Sequence, residues 1–482
     1  MKHPRPRFAF PLLAFFCAIA WTAPVASGSP ARPPHAPGSR GDTLRLTLSS
    51  ALQRVLQTSP EIRAQEAVAR YAEARYDLAR ASRYLTTFSA TSAHAVAPGL
   101  TNPNGTAADL LWTDPDVRND WDDLRPFNRI DISAIQPIYT FGELSGNIQA
   151  ARSAIGLEEQ GVRTRRIEAA VRTAELYYGL MLAKALNRLT GEAGDIVSRA
   201  MREIDRLLEE GAEGVDDADR YQVLITQQEY LRRVVEVEER LETVRTAIRR
   251  QMQLDEGEVP DVALLTLDPI SLPLDSLDAY LDAAILNRPE PLKAQAGIAA
   301  RQALLRVANS ARYPKLFLGV EARYSYAEGR YRQQNPYLGD PFLSRSVRAG
   351  FGMRMDLNLL QTRAKVEQAR AQLDEVSFQA EAARAIVLYE AEAAWRTVRV
   401  KRSAMGAAEA SLQLGKDWLR TEEINFDLDL GDTENLVDAV KTNLELQAAR
   451  HQSVFDYNLA VIRLLAATGL LDRTADFGIQ LD

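Results

Sequence analysis

Apolar and small residues recur along this chain with two different periods. From about Gln361, the positions Val366, Leu373, Ala380, Val387 and Ala394 are seven apart, and Ala369, Val376 and Ala383 follow three residues after members of that series. This is a coiled-coil seam with small knobs, which lets helices pack closely. It predicts a helix from about Gln361 to Thr421, about 90 Å long at 1.5 Å per residue and too long for a globular domain. The segment Asp427 to Thr433 breaks the pattern, and a return helix runs from about Glu434 to Thr468, closed by Gly469. An earlier tract repeats the plan, with a helix from about Glu143 to Glu210, a turn at Gly211 to Asp217 and a return to about Leu254. Proline agrees by its absence. None occurs between Pro137 and Pro260 or after Pro341, leaving proline-free tracts of 122 and 141 residues rich in strong helix formers.

Period two appears just before each helical tract. Leu316, Leu318, Val320, Ala322, Tyr324 and Tyr326 alternate with Phe317, Gly319, Glu321, Arg323 and Ser325. After a loop containing Asn335-Pro336 and Gly339-Asp340-Pro341, Val347, Ala349, Phe351, Met353, Met355 and Leu357 alternate with Arg348, Gly350, Gly352, Arg354 and Asp356. Both runs match the length of a tilted strand crossing a bilayer. The charges at Glu321, Arg323, Arg348, Arg354 and Asp356 fall on one face, as expected if that face lines water while Leu318, Val320, Tyr324, Phe351 and Met353 meet lipid. Weaker counterparts run from Leu85 to Val96 and from Arg129 to Thr140. A soluble hairpin with one face on a core alternates in the same way. Four strands are too few to close a barrel, and an open edge in lipid leaves backbone groups unsatisfied, so the chain either oligomerises or stays out of the membrane.

The two halves are copies. A shift of 229 residues aligns Ser59-Pro60-Glu61 with Arg288-Pro289-Glu290 and Arg83-Tyr84 with Arg312-Tyr313, while a shift of 218 aligns Ala151-Arg152 with Ala369-Arg370. The difference is a longer loop between Pro98 and Pro126 in the first copy. Internal repetition of this kind makes one architecture from two units. The implied division is a signal peptide (1–27), a Pro-rich N-terminal linker (28–45), a first repeat (46–270) and a second repeat (271–470), each with a helix, two strands and a long helical hairpin, then a C-terminal tail (471–482).

Composition narrows the function classes. The chain has 482 residues, 58 Lys plus Arg against 65 Asp plus Glu, and a net charge of −7, which argues against a nucleic-acid partner. Lys2, Arg5 and Arg7, an apolar stretch from Phe8 to Trp21, and small residues from Ala23 to Ser27 read as an export signal. The one cysteine, Cys17, lies in that stretch, so the mature chain is expected to carry no disulfide and no Cys metal site. His94 and His451 stand alone. No His-Glu-x-x-His, phosphate loop or Gly-x-Ser-x-Gly is present, so the chain is expected to be neither an enzyme nor a cofactor binder.

Three stretches carry a wider resemblance: Leu46-Thr47-Leu48-Ser49-Ser50-Ala51-Leu52 through Ser59-Pro60-Glu61-Ile62, Gln136-Pro137-Ile138-Tyr139-Thr140-Phe141-Gly142 with Ala151-Arg152 after it, and Asp356-Leu357-Asn358 leading to Ala369-Arg370. With the closing Asn458 to Gly469, they resemble the TolC-like outer-membrane factor family over nearly the whole mature chain. The resemblance implies a mostly α homotrimer whose protomers each give four strands to a twelve-stranded barrel in the outer membrane of a Gram-negative bacterium. Long helical hairpins continue it into the periplasm as a tapering α-barrel. It implies a passive exit duct of a tripartite efflux pump or type I secretion system, docked to a periplasmic adaptor (membrane fusion) protein and an inner-membrane transporter. Carried over by position, the tip turns at Gly211, Gly214 and Val215 and at Gly431, Asp432 and Thr433 contact the adaptor. Asp417, Glu422, Glu423, Asp427 and Asp429 are candidates for an acidic constriction, or a solvated helix end. The sequence departs from the family in its long, acidic Pro98 to Pro126 loop, its lack of an acylated cysteine and its short tail. A periplasmic coiled-coil scaffold with soluble β-hairpins is the alternative reading.

Overall fold

The computed structural model describes residues 43–84, 87–101, 118–210, 217–263, 266–330, 339–428 and 433–471. The expected signal peptide, most of the 28–45 linker, most of both hairpin turns and the tail from 472 lie outside these. The first repeat runs β1 (Thr43–Leu46), α1 (Leu48–Thr58), α2 (Pro60–Ala81), β2 (Thr87–Thr101), β3 (Arg118–Tyr139), α3 (Glu143–Glu210) and α4 (Asp217–Gln251). β4 (Val259–Val262) then falls before the expected boundary at 271, and the second repeat goes on through α5 (Leu277–Asn287), α6 (Pro289–Ser310), β5 (Lys315–Ala327), β6 (Ser344–Arg354), α7 (Leu359–Asp427) and α8 (Thr433–Ala467).

The duplication is visible element by element. α1 and α5 begin at Leu48 and Leu277, α2 and α6 at Pro60 and Pro289, each pair 229 residues apart. The long helices keep a different offset, since α3 and α7 begin at Glu143 and Leu359 and α4 and α8 at Asp217 and Thr433, each pair 216 apart. That is two residues from the shift read off the Ala-Arg pairs. Where one opening helix is expected per repeat, the chain forms two, because proline at the first helical position bars the α conformation from the residue before it. Ser59 and Arg288 accordingly stand in extended backbone, at ψ 121° and 143°. α1 is closed at its start by Thr47, whose hydroxyl accepts from the Ser50 amide at 3.1 Å while the Ser50 hydroxyl accepts from the Thr47 amide at 3.0 Å.

α3 and α7 have 68 and 69 residues, about 100 Å each, and α4 and α8 have 35. Next to the sheet the packing order is α2, α3, α6, α7; at the other end of the long helices it is α4, α3, α8, α7. The core lies between these regions, where Leu48, Val55, Tyr177, Leu180, Leu182, Tyr457, Ile462 and Leu465 are buried together. There β1 and β4 pair in parallel, four residues each, too short to register in the sequence. Asn458, fully buried, fixes the chain entering the second repeat: its Oδ1 accepts from the Ile270 amide at 2.8 Å and its Nδ2 donates to the Asp268 carbonyl at 2.9 Å.

Candidate functional site

The four longer strands form one antiparallel sheet in the order β2-β3-β5-β6. Its register decides which side chains share a face. Ser133 is opposite Glu321 and Glu321 opposite Arg348, Asp131 is opposite Arg323, and Lys315 is opposite Arg354. Side chains alternate along each strand, so these residues with Arg129 occupy one face. Asp131 joins two strands there, accepting from Arg129 and from Arg323, each at 2.6 Å. Ser89 and Ser133 share a hydrogen bond of 2.8 Å between β2 and β3. Phe127, Ile135 and Phe317 also lie on this face, so it is polar without being uniformly so.

The opposite face carries Phe88, Ile130, Ile132, Leu318, Val320, Tyr324, Tyr326, Val347, Phe351 and Met353. Phe351 is 83% exposed, with no described residue covering it. The structure thus puts Glu321, Arg323, Arg348 and Arg354 on one side and Leu318, Val320, Tyr324, Phe351 and Met353 on the other. Two details differ from expectation. β6 ends at Arg354, leaving Asp356 in the connection to α7, and it begins at Ser344, which adds Arg345 to the apolar face. Charge is therefore not confined to one side.

The long loop expected from Pro98 to Pro126 is in part strand. β2 continues to Thr101 and β3 starts at Arg118, with a register break between Pro98 and Gly99, so the hairpin projects beyond β5 and β6. Arg330, only 4% exposed, braces it. Its guanidinium is bidentate to Asp340 at 2.8 and 3.1 Å, donates to the Gly99 carbonyl at 3.3 Å and Asn119 Oδ1 at 3.1 Å, and lies 5.0 Å over the Phe342 ring. Of the six acids in this loop, Asp120, Asp122 and Asp123 lie on β3, while Asp109, Asp114 and Asp116 lie outside the described residues.

At the other end of the long helices, the acids expected at a constriction do not share one helix face. At 100° per residue, Glu422 and Glu423 lie about 140° and 240° around α7 from Asp417. The Gln413 amide donates to Asp417 at 3.2 Å and the Trp418 ring N–H to Glu422 at 3.1 Å. Asp427 is the last residue of α7 and Thr433 the first of α8. Gly211, Gly214, Val215, Asp429, Gly431 and Asp432 lie outside the described residues.

Sequence reasoning missed a charged cluster where the opening helices meet the long ones. Glu61 on α2 is held by Arg172 on α3, and that hydrogen bond and charge hold its carboxyl below the usual range. In the second copy Arg288 takes the place of Ser59 and donates to Glu290 at 2.9 Å and to Glu390 of α7 at 2.5 Å. Burial pushes Glu290 up, but the bond to Arg288 and its charge outweigh it, and the carboxyl titrates below its ordinary range. A shift of 218 places Glu390 opposite Arg172, so the charge is reversed at that position and Arg288 compensates. These residues line one open groove. The signal was present in the aligned triplets, but only the fold brings α7 to them.

Among the described residues, no helix is long and apolar enough to cross a membrane. Neither a family model nor a curated protein sequence matches the chain. Solved structures do. The outer membrane channel CmeC of Campylobacter jejuni aligns with a TM-score of 0.70 at 15% identity, over 88% of this chain and 86% of that one. The outer membrane protein VceC of Vibrio cholerae aligns at 0.66 and 16% identity, over 88% and 96%. The open state of the MtrE outer membrane channel of Neisseria gonorrhoeae aligns at 0.66 and 13%, over 88% of each chain. The long helical hairpins, the four-stranded sheet and the internal duplication together give this chain the fold of the TolC-like outer-membrane channels.

Proposed function

We propose that three copies of this chain close into a duct through the outer membrane of a Gram-negative bacterium and into the periplasm, which conducts passively and is gated at its helical tip. The observation that carries this reading is that the sheet and the helical layer end in free edges in the same order. β2 and α2 bound one side, β6 and α7 the other. A strand edge in lipid must be paired, and head-to-tail pairing of β6 with the β2 of a neighbour closes a ring. Three protomers supply twelve strands.

The helix edges are prepared for the same contact. On α7, Phe378, Tyr389, Val400, Leu414 and Trp418 are exposed in one stripe, opposite the buried Val366, Val387, Ala391 and Val398. Val68, Tyr71 and Leu78 form such a stripe on α2, and Tyr221, Ile225, Leu231 and Val235 on α4. Apolar stripes of this length on a monomer mark an interface. With the ring closed, the charged face lines water and the apolar face meets lipid. The tip turns at Gly211 to Val215 and Gly431 to Thr433 are then free to dock a periplasmic adaptor bound to an inner-membrane transporter, which supplies the driving energy. The duct itself needs no catalysis and no cofactor. An acid of the Asp417 to Asp429 stretch that faces the axis is repeated threefold and attracts cations.

The test is single-channel conductance of the purified full-length protein in a planar bilayer, with its mass in detergent measured in parallel. Steady cation-preferring steps from a three-chain species are the expected result. A soluble, non-conducting oligomer would replace this reading with the periplasmic scaffold.

A further inference from the structure

Arg345 stands against the pattern of its face. Among the described residues it is the only charged side chain on the apolar side of β5 and β6, and no described carboxylate pairs with it. Its guanidinium lies 5.4 Å over the Tyr324 ring. The register puts it in a row with Tyr324, Ile130 and Ser92. The next row, further from the helices, holds Tyr326, Asn128 and His94, where the His94 ring nitrogens meet Asn128 Oδ1 at 2.6 Å and Ser92 Oγ at 3.0 Å. Where all four strands run side by side, the apolar face therefore ends in a polar and aromatic margin, with Val96 and Leu124 beyond it only on the projecting β2–β3 hairpin.

The other limit of the face is aromatic. Tyr139 packs edge-on to Phe141 at 4.6 Å, and Phe141 stacks on Tyr313 at 5.1 Å, at the junctions between strands and helices. From Leu316 to Tyr326 the strand covers about 33 Å, which at a tilt near 40° rises about 25 Å. That is the height of the apolar band of a membrane barrel. A cation at the rim of such a band, on an aromatic ring and without an acid to neutralise it, is complementary to an anionic headgroup.

We propose that Arg345, seated on Tyr324, binds a phosphate of an outer-leaflet lipid, so that the margin of Arg345, Tyr324, Tyr326, Asn128 and His94 fixes the depth of the duct in the membrane. This rests on the reading that the apolar face meets lipid. The test compares lipid retained by the purified full-length protein after detergent washing, using vesicles of phosphatidylcholine doped with diphosphorylated lipid A or with the same lipid dephosphorylated. One cation near the surface supports a preference of roughly fivefold for the phosphorylated form. Arg345→Gln is expected to bring the two to parity, and Arg345→Lys to keep most of the preference. Parity in the wild type, which needs no variant to assemble, or an unchanged preference in Arg345→Gln, overturns the proposal. A nitroxide at Phe351→Cys, in a Cys17→Ser background, separates the two levels. If it is accessible to oxygen and shielded from a water-soluble relaxant while the preference is absent, the phosphate site alone is wrong. If it sits in water, the membrane reading falls and the proposal with it.

Discussion

Gly469 shows how much a single backbone position carries. It ends α8 with φ +67°, its amide bonded to the Ala466 carbonyl at 3.1 Å and the Leu470 amide to Leu465 at 2.8 Å, the arrangement that closes a helix on a left-handed residue. A Cβ here would stand 2.6 Å from the Asn287 carbonyl carbon and 2.8 Å from the Arg288 nitrogen, both backbone atoms at the α5–α6 junction. Gly469→Ala is therefore expected to cost about 1–2 kcal/mol for the left-handed backbone and about 1–3 more for the displaced junction. A denaturant midpoint unchanged from wild type would contradict this. Beside it, Arg288 sets a pH dependence. Glu290, held by Arg288, titrates below its ordinary value of 4.5 when folded, as Glu61 does beside Arg172, so the stability each adds is present above that value and is lost as pH falls through its lowered folded value. Arg288→Gln should lower stability by about 1.5–3 kcal/mol at pH 7. The gap between variant and wild type in thermal midpoint should hold from pH 7 to about pH 5 and shrink below it. A gap that widened on acidification would refute the pairing.

At the scale of the element, the helices were the most legible part. Expected bounds of Glu143–Glu210 meet α3 as found, and the return helix expected from Glu434 to Thr468 is α8 at Thr433–Ala467. Proline, glycine and the seven-residue seam act within a few residues of themselves, so their message survives without the fold. The strands were legible in place but not in extent. Alternation located β5 and β6, yet the ends of β6 moved, and β2 and β3 ran into a segment expected to be loop, because pairing with a partner strand sustains residues of weak intrinsic preference. The apolar face yields its own prediction. Phe351→Arg should cost about 2–4 kcal/mol near the bilayer midplane and reduce membrane-inserted trimer. Wild-type yield of that trimer would defeat the barrel.

For the whole molecule, the question is what covers the free edges. Tyr389 sits on the exposed stripe of α7, so Tyr389→Glu should leave the protomer folded but place a charge in each contact between neighbours. Loss of the three-chain mass in detergent with an unchanged far-UV circular dichroism spectrum is the expected outcome; intact trimers would remove α7 from the interface. The tip should behave in the opposite way. If the chain works as proposed, Gly431→Trp with Thr433→Trp should preserve the trimer and abolish export in cells that depend on this chain for it, measured as accumulation of the exported compound or protein. Unimpaired export would take these turns out of the docking model.

The sequence by itself determined the long hairpins, the duplication and the two-faced strands, because helix period, strand period and proline placement are properties of neighbouring residues. Tertiary structure alone decided the order of the layers, the partner of Arg288 about a hundred residues away in α7 and the placing of Arg345 at the rim of the apolar face. Those depend on which distant segments meet. A pattern along one chain records that a surface is apolar, and only packing tells which of its apolar surfaces the protomer has already buried and which it leaves for another copy.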